Sequence, residues 1–381
     1  MIPVMKPFFG PEEAAAAADA VSSGWVAQGP RVAEFEAALA AKVGARHGIA
    51  LSSCTAGLHL ALIVAGIGPG DEVIVPSLSF IATANAVRYV GATPVFADVE
   101  ISTGNLTPTT IQAVLTTNTR AVILVHQGGV PADVAAVRAL CDPAGITVVE
   151  DAACAIGAGI GTEPIGAHSD LVVFSFHPRK VITTGEGGMI MTGRDDWAQR
   201  LRRLREHGMS VSAAERHASS TSVLEEYLEV GFNYRMTDIQ AAIGLVQLGR
   251  LDDIVARRRA RADRYRALLA DVPGVRLVDD PPYGFGTYQA CWALLDDDFA
   301  LRRDELLAFL MTRGVSARRG IMASHLEPAY AGVPHVELPN TERITRDSLI
   351  LPLYHVMTDA EQDEVVDAIK SASLELRHQA V

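Results

Sequence analysis

The sequence predicts an α/β protein: a mainly parallel sheet covered by helices, followed by a smaller α+β domain. Three observations predict it. From about residue 30 to 200, short apolar runs alternate with helical patterns. Those runs end in small polar or glycine-containing turns, the places where an open α/β sheet forms its ligand crevice. The chain has 381 residues, of which 49% are hydrophobic and 20% charged, enough for a large core and a second domain.

Val32, Phe35 and Leu39 recur at helical spacing and open the pattern. His47 to Leu58 reads as a short strand, a small polar turn and the start of a helix. Val73 to Val75 is the next strand, and a helix follows Phe80. Pro94 to Phe96 and Ala121 to Val125 are further strands, then a helix from Ala132 to Leu140 and a strand from Val148 to Asp151. The β-branched and aromatic run Leu171 to Phe176 reads as a buried strand, ended by His177-Pro178, and Gly187 to Met191 as the one after it. Residues 207 to 230 lose this rhythm and read as an excursion across a dimer interface. From Thr237 a long helix with Ile239, Ile243 and Val246 on one face leads out of the large domain, and its continuation Arg257-Arg258-Arg259 reads as a solvated face. The last third contains Cys291 to Leu295 and a helix from Asp304 to Arg313. No repeat or low-complexity linker marks the boundary, which is placed between a large domain of residues 1–255 and a small one of residues 256–381.

A formal net charge of −12 argues against general nucleic-acid binding, which rests on excess lysine and arginine. The amino end lacks a signal-peptide pattern, and no apolar run reaches the roughly 20 residues that span a bilayer, so a cytoplasmic location is expected. Cys54, Cys141, Cys154 and Cys291 form no CxxC pair and read as reduced thiols. The 11 histidines show no HExxH or comparable spacing, so no metal is expected. Gly157-Ala158-Gly159-Ile160-Gly161 resembles half of a dinucleotide fingerprint, but it follows a strand ending in carboxylates and lacks the full spacing, which favours a tight turn.

Lys180 is the first chemical candidate. It sits on a loop at a sheet edge, before the small-residue stretch Thr183-Thr184-Gly185-Glu186-Gly187-Gly188, where backbone can approach a bulky ligand. A lysine held there can lose solvation and form a Schiff base with a carbonyl compound. On the residue alone, a solvated surface lysine is the commoner role. Asp151 is the second candidate, at the carboxyl end of its strand, while Glu150 points to the opposite face. An aspartate capping the following helix is its alternative role. Pyridoxal 5'-phosphate needs such an amine and a carboxylate that keeps its pyridine nitrogen protonated. Its phosphate suits the helix N-terminus after Ser52, where Thr55, or competing Ser53, and Ser175 can add hydroxyl contacts. Thr55 could instead be an N-cap. Phe80 could stack on the flat ring or fill the core.

Taken together, these segments resemble the sugar aminotransferases of the DegT/DnrJ/EryC1/StrS family, pyridoxal-phosphate enzymes of fold type I. The resemblance runs nearly end to end, through MIPVMKPFFG, SGWVAQGPRVAEFE, SSCTAGLHLAL, PSLSFIATANAV, EDAACAIGA, FSFHPRKVITTGEGGM, GFNYRMTDIQAAIGL and LPNTERITRDSLILPL. It implies a seven-stranded type of sheet in the large domain. It also implies that Lys180 carries the cofactor as a Schiff base, Asp151 pairs with the pyridine nitrogen, and Phe80 stacks on the ring. Thr55, Ala56 and Ser175 would hold the phosphate, with Asn233 reaching it from a second subunit of a homodimer with shared sites. Cys154 departs from the family pattern, because many members carry glutamine or histidine there beside the ring hydroxyl. A thiol is a weaker hydrogen-bonding partner.

The implied reaction takes an amino group from glutamate, holds it as pyridoxamine 5'-phosphate, and delivers it to a keto group of a nucleotide-linked sugar, a dTDP-4-keto-6-deoxyhexose at C4. A 3-keto-sugar substrate, a sugar dehydratase and a non-catalytic cofactor-binding regulatory protein are the alternatives. Intact Lys180 weighs against the dehydratase, whose branch of the family has histidine there, and Lys180 with Asp151 weighs against the regulatory protein. Arg318, Arg319 and His325 are candidates for the diphosphate or sugar end, with surface charge around a hinge as their other role.

Overall fold

The computed structural model describes residues 1–381 except 168, 212–223, 300–301 and 376–381. Its strands, in chain order, are β1 (His47–Leu51), β2 (Glu72–Pro76), β3 (Thr93–Ala97), β4 (Thr119–Val125), β5 (Thr147–Asp151), β6 (Gly159–Ile160), β7 (Glu163–Pro164), β8 (Val172–Ser175), β9 (Gly188–Thr192), β10 (Val275–Leu277), β11 (Gly284–Phe285), β12 (Cys291–Leu295), β13 (Arg318–Arg319) and β14 (Ser348–Leu351). The first four helices are α1 (Pro11–Ser22), α2 (Pro30–Val43), α3 (Cys54–Val64) and α4 (Ala82–Tyr89).

Seven strands form one sheet in the order β1-β9-β8-β5-β4-β2-β3. Strands β3, β2, β4, β5 and β8 run parallel, and β9 is antiparallel to both its neighbours. Successive residues of one strand feed opposite layers, as the two-residue period of a strand requires. Ile49 and Leu51 join a core with α3 and α4 residues such as Leu58 and Val87, whereas Ala50 joins Phe35 and Leu39 of α2 on the other face. Both faces are therefore covered, the condition under which parallel strands read as continuous apolar runs.

The C-terminal part builds a four-stranded antiparallel sheet, β10-β12-β14-β13, over a separate core that includes Tyr265, Leu310, Val365 and Ile369. Ile2 belongs to that core and bridges to Val315, so the first residues of the chain lie with the last third. Strands β11, β6 and β7 form a small third sheet. Within it, Gly157 and Gly161 have φ of 87° and 56°, so the glycine-rich stretch is a turn and edge strand rather than a dinucleotide loop.

Two expectations need correction. The helix from Thr237 breaks at Arg250 into Asp238–Gly249 and Leu251–Leu269. In the first of these, Ile239, Ile243 and Val246 are only half-buried, while Ala241, Ala242 and Gly244 are packed. A Cβ on Gly244 would stand 2.7 Å from the Phe35 ring, so small residues, not the bulky stripe, set this contact with α2. The second correction concerns Arg258. It is 2% exposed, and its guanidinium donates to the carbonyls of Tyr288 and Gln289. The charge run is thus solvated only in part, because one of its members staples a turn of the C-terminal region. Within the 207–230 excursion, Met209 bridges to Tyr227, and residues 212–223 lie outside the described residues. Among the described residues, no helix is long and apolar enough to cross a membrane.

Asp238 ties these layers together. Its carboxylate accepts from the N–H groups of Gly29, Arg31 and Val32 at 2.9, 3.1 and 2.9 Å, capping α2 from a distant segment. A carboxylate at a helix N-terminus satisfies donors that the helix cannot satisfy itself. Replacing it leaves buried N–H groups unpaired. We expect Asp238→Ala to lower stability by about 1–3 kcal/mol in urea unfolding, whereas Asp252→Ala, which removes an exposed pair with Lys42, should change it by less than about 1 kcal/mol.

Candidate active site

The parallel topology brings the ends of β2, β4, β5 and β8 to one edge of the sheet, and the predicted chemistry gathers there. Asp151, the last residue of β5, is 6% exposed. It does not cap a helix. One oxygen accepts from the Ala153 N–H at 3.2 Å, and the other accepts from the Thr83 hydroxyl at 3.1 Å. Thr83 in turn lies 2.7 Å from the Ser79 hydroxyl. Burial pushes the Asp151 carboxyl above its usual range, while Lys180, the Ala153 N–H and Thr83 oppose that push.

Glu150 points the other way, as its strand position requires. It accepts from Nε2 of the fully buried His126 at 3.0 Å, and His126 Nδ1 accepts from the Ala132 N–H at 3.0 Å. Nε2 therefore carries the proton. The His126 N–H donates to the Asp151 carbonyl, so the exit of β4 is fastened to the end of β5.

Lys180 follows β8 in a turn closed by its own N–H on the His177 carbonyl. Its Nζ donates to Cys154 Sγ at 3.2 Å. Burial alone would lower this amine, but Cys154 and the Asp151 carboxylate outweigh it and raise the amine above its usual value. Without a carbonyl partner, Lys180 is an ammonium at neutral pH. Cys54 Sγ approaches an Asp151 oxygen at 4.0 Å, and burial, aided by Asp151, pushes its thiol well up, so it stays protonated. All four cysteines are free thiols.

Helix α3 points its N-terminus toward this group. Ser53, not Thr55, is the N-cap, and its hydroxyl accepts from the Ala56 N–H at 3.1 Å. Thr55 is half-buried in the first turn, leaving its hydroxyl for another partner. Close approach holds α3 in place: a Cβ on Gly57 would lie 2.5 Å from Val173, and one on Gly188 would lie 2.5 Å from the Cys54 nitrogen. Ser175 ends β8 with its hydroxyl buried and only a long 3.5 Å contact from the His177 N–H. Phe80 is 63% exposed between buried Ser79 and Thr83, so it is not a core phenylalanine.

The remaining candidates lie apart from these contacts. Asn233 is exposed and bridges to Glu206. Arg319 is exposed, 3.8 Å from Glu327. His325 is enclosed instead: its Nδ1 is 2.6 Å from the Ser77 hydroxyl, its ring faces Phe96 and His335, and burial and His335 hold its pKa below the usual value. Among the described residues, no group of three or more His, Cys, Asp or Glu could hold a metal ion.

Sequence reasoning missed Ser79 and Thr83. Their i,i+4 spacing across Phe80, at the start of α4, was the available signal. These residues fit pyridoxal phosphate: an amine beside a buried carboxylate, a helix N-terminus with free hydroxyls nearby, and an uncovered aromatic ring.

A model of the DegT/DnrJ/EryC1/StrS aminotransferase family matches residues 8–370. The spore coat polysaccharide biosynthesis protein SpsC of Bacillus subtilis (strain 168) is 38% identical over 378 residues, covering 97% of this chain and 96% of that protein. The aminotransferase TlmJ from Streptoalloteichus hindustanus is 35% identical with a TM-score of 0.91, over 100% of both chains. Spr1654 from Streptococcus pneumoniae, assigned as a sugar aminotransferase and solved in its PLP-form, is 26% identical with a TM-score of 0.91, over 98% of this chain and 99% of that one.

Thr83 supplies a test of the carboxylate's environment. Removing its hydroxyl takes away an interaction that favours the ionised form, so the Asp151 pKa should rise further. Cofactor binding that needs ionised Asp151 should then fail at higher pH as the solution is acidified. Thr83→Val should bind pyridoxal phosphate roughly 5–10-fold more weakly than wild type in fluorescence titrations of the cofactor-free protein, with a deficit that widens toward acid pH, and Thr83→Ser should recover most of the loss.

Proposed function

The chain belongs to the DegT/DnrJ/EryC1/StrS aminotransferase family, and from that premise we propose that it transfers an amino group from glutamate to the keto group of a nucleotide-linked sugar, a dTDP-4-keto-6-deoxyhexose at C4. The observation that carries this reading is the convergence of the Lys180 amine and the buried Asp151 carboxylate at the sheet edge. The family, the polysaccharide role in the name of SpsC and the sugar aminotransferase assignment of Spr1654 support the substrate class. The cofactor is pyridoxal 5'-phosphate.

When bound, that group supplies a carbonyl for amines and a ring that accepts the electron pair left when a proton leaves the substrate carbon. Lys180 Nζ would be the amine that holds it at rest and would carry the proton to and from the reacting carbon. Asp151 holds the proton on the pyridine nitrogen. Ser175 Oγ, Thr55 and the Ala56 end of α3 hold the phosphate, and Phe80 covers the ring. Cys154 Sγ sits 3.2 Å from the amine and would be the neighbour of the ring hydroxyl. In this reading Asn233 serves a partner subunit, a role that its exposure permits. In this reading residues 1–255 form the cofactor-binding domain and residues 256–381 the smaller domain, with the first residues, such as Ile2, joined to the second part.

Glutamate added to the loaded protein should replace the visible absorption band by that of pyridoxamine phosphate, and a 4-keto nucleotide sugar should restore it while yielding a 4-amino product by NMR. A 3-amino product would move the reading to the 3-keto isomer. Loss of water without amination would move it to dehydration. Lys180→Ala should reduce turnover by about 10²–10⁴-fold or more, and unchanged turnover would reject the assignment of the amine.

A further inference from the structure

Two cations lie outside the contacts described above, Arg179, which precedes Lys180 in the chain, and Arg318 of the C-terminal part. Val4, Met5, Arg179, Gln289, Arg318 and Leu353 line a cavity of about 110 Å³. Five separate segments make its walls, and three contacts fasten them to one another. The Leu353 N–H donates to the Val4 carbonyl at 3.1 Å. The Gln289 side-chain amide donates to the Arg179 carbonyl at 2.7 Å. Arg318 is paired with Ile350 through β13 and β14.

The two guanidiniums differ from their neighbours. In a chain of net charge −12, Arg250, Arg259, Arg261, Arg264 and Arg266 all meet carboxylates. Arg179 and Arg318 line one cavity, and neither has a carboxylate partner among the described residues. Arg319, next in sequence, faces Glu327 and does not line it. Uncompensated cations that line one cavity repel, and that repulsion is relieved when an anion enters it. The planar, always-charged guanidinium is suited to two parallel bonds to a carboxylate or phosphate. The space, enough for roughly three or four waters, suits one such group and not a hexose.

We propose that Arg179 and Arg318 form an oxyanion subsite for a substrate of the reaction above, taking a carboxylate of the amino donor or a phosphate of the nucleotide sugar. The proposal rests on the aminotransferase reading, because the chain position of Arg179 beside Lys180 is what connects the cavity to the reacting centre. It keeps Arg318 from the three candidates Arg318, Arg319 and His325 read from the sequence and adds Arg179, while His325 is enclosed against Ser77.

The test uses wild type, Arg179→Ala, Arg318→Ala, the double variant and Arg179→Lys, each loaded with cofactor and checked for an unchanged melting temperature. Inorganic phosphate is titrated calorimetrically into each. The half-saturating concentration is then measured separately for glutamate, from loss of the visible band, and for the nucleotide keto sugar, from its return. The double variant should lose phosphate binding, and one half-saturation should rise about 10–100-fold. Arg179→Lys should fall between, because it keeps the charge and loses the fork. A rise for glutamate identifies a carboxylate occupant, and a rise for the keto sugar identifies a phosphate. Both half-saturations within about twofold of wild type in the double variant would overturn the subsite, whatever phosphate does. If wild type converts with neither substrate, the function reading fails by itself, and the phosphate titration decides the subsite alone: retained binding in the double variant overturns it, and lost binding supports it.

Discussion

The site depends on keeping the Asp151 carboxylate ionised where water hardly reaches. A buried carboxylate tends to take up a proton unless donors and a nearby cation hold its charge. Here those groups come from three places: Thr83 on α4, Ala153 just past β5 and Lys180 after β8. None is close to all the others in sequence. Only a parallel sheet, which brings successive strand ends to one edge, assembles them without long loops. The close contacts of Gly57 with Val173 and of Gly188 with Cys54 then set α3 against that edge.

Cys154 changes the character of the site more than its position does. An amide or imidazole there could donate a hydrogen bond strongly, whereas a thiol is a weak donor and becomes a useful acceptor for an ammonium. The Lys180 amine uses it in that second way, at 3.2 Å. With Cys54 near Asp151, the protein places one soft, polarizable atom against its cation and another near its anion. The His126–Glu150 contact on the far side is separate, and it stiffens the strand end without touching the amine.

Much of this was legible in the sequence because strands and strand ends announce themselves. The runs before Asp151 and Lys180 are apolar and β-branched, and each ends in small or charged residues, so strand, turn and candidate side chain could be named together. The seven-stranded arrangement itself came from resemblance, since spacing alone does not fix strand order. Packing decided what was missed. The buried face of helix Asp238–Gly249 is small rather than bulky, because Phe35 needs room, and periodicity weights bulk. Arg258 looks like any member of a charged run until the turn at Tyr288 supplies carbonyl acceptors. Ser79 and Thr83 are ordinary hydroxyls in sequence and matter only because Asp151, 68 positions from Thr83, lies beside them. That Arg179 lines the same cavity as Arg318 was hidden for the same reason.

The claim on which all of this turns is that Lys180 carries the cofactor covalently, and borohydride reduction followed by peptide mass mapping addresses it most directly. The account predicts one pyridoxyl-phosphate addition, on the peptide containing Lys180 and absent from Lys180→Ala. Addition at another lysine of the loaded protein, or none, would contradict it.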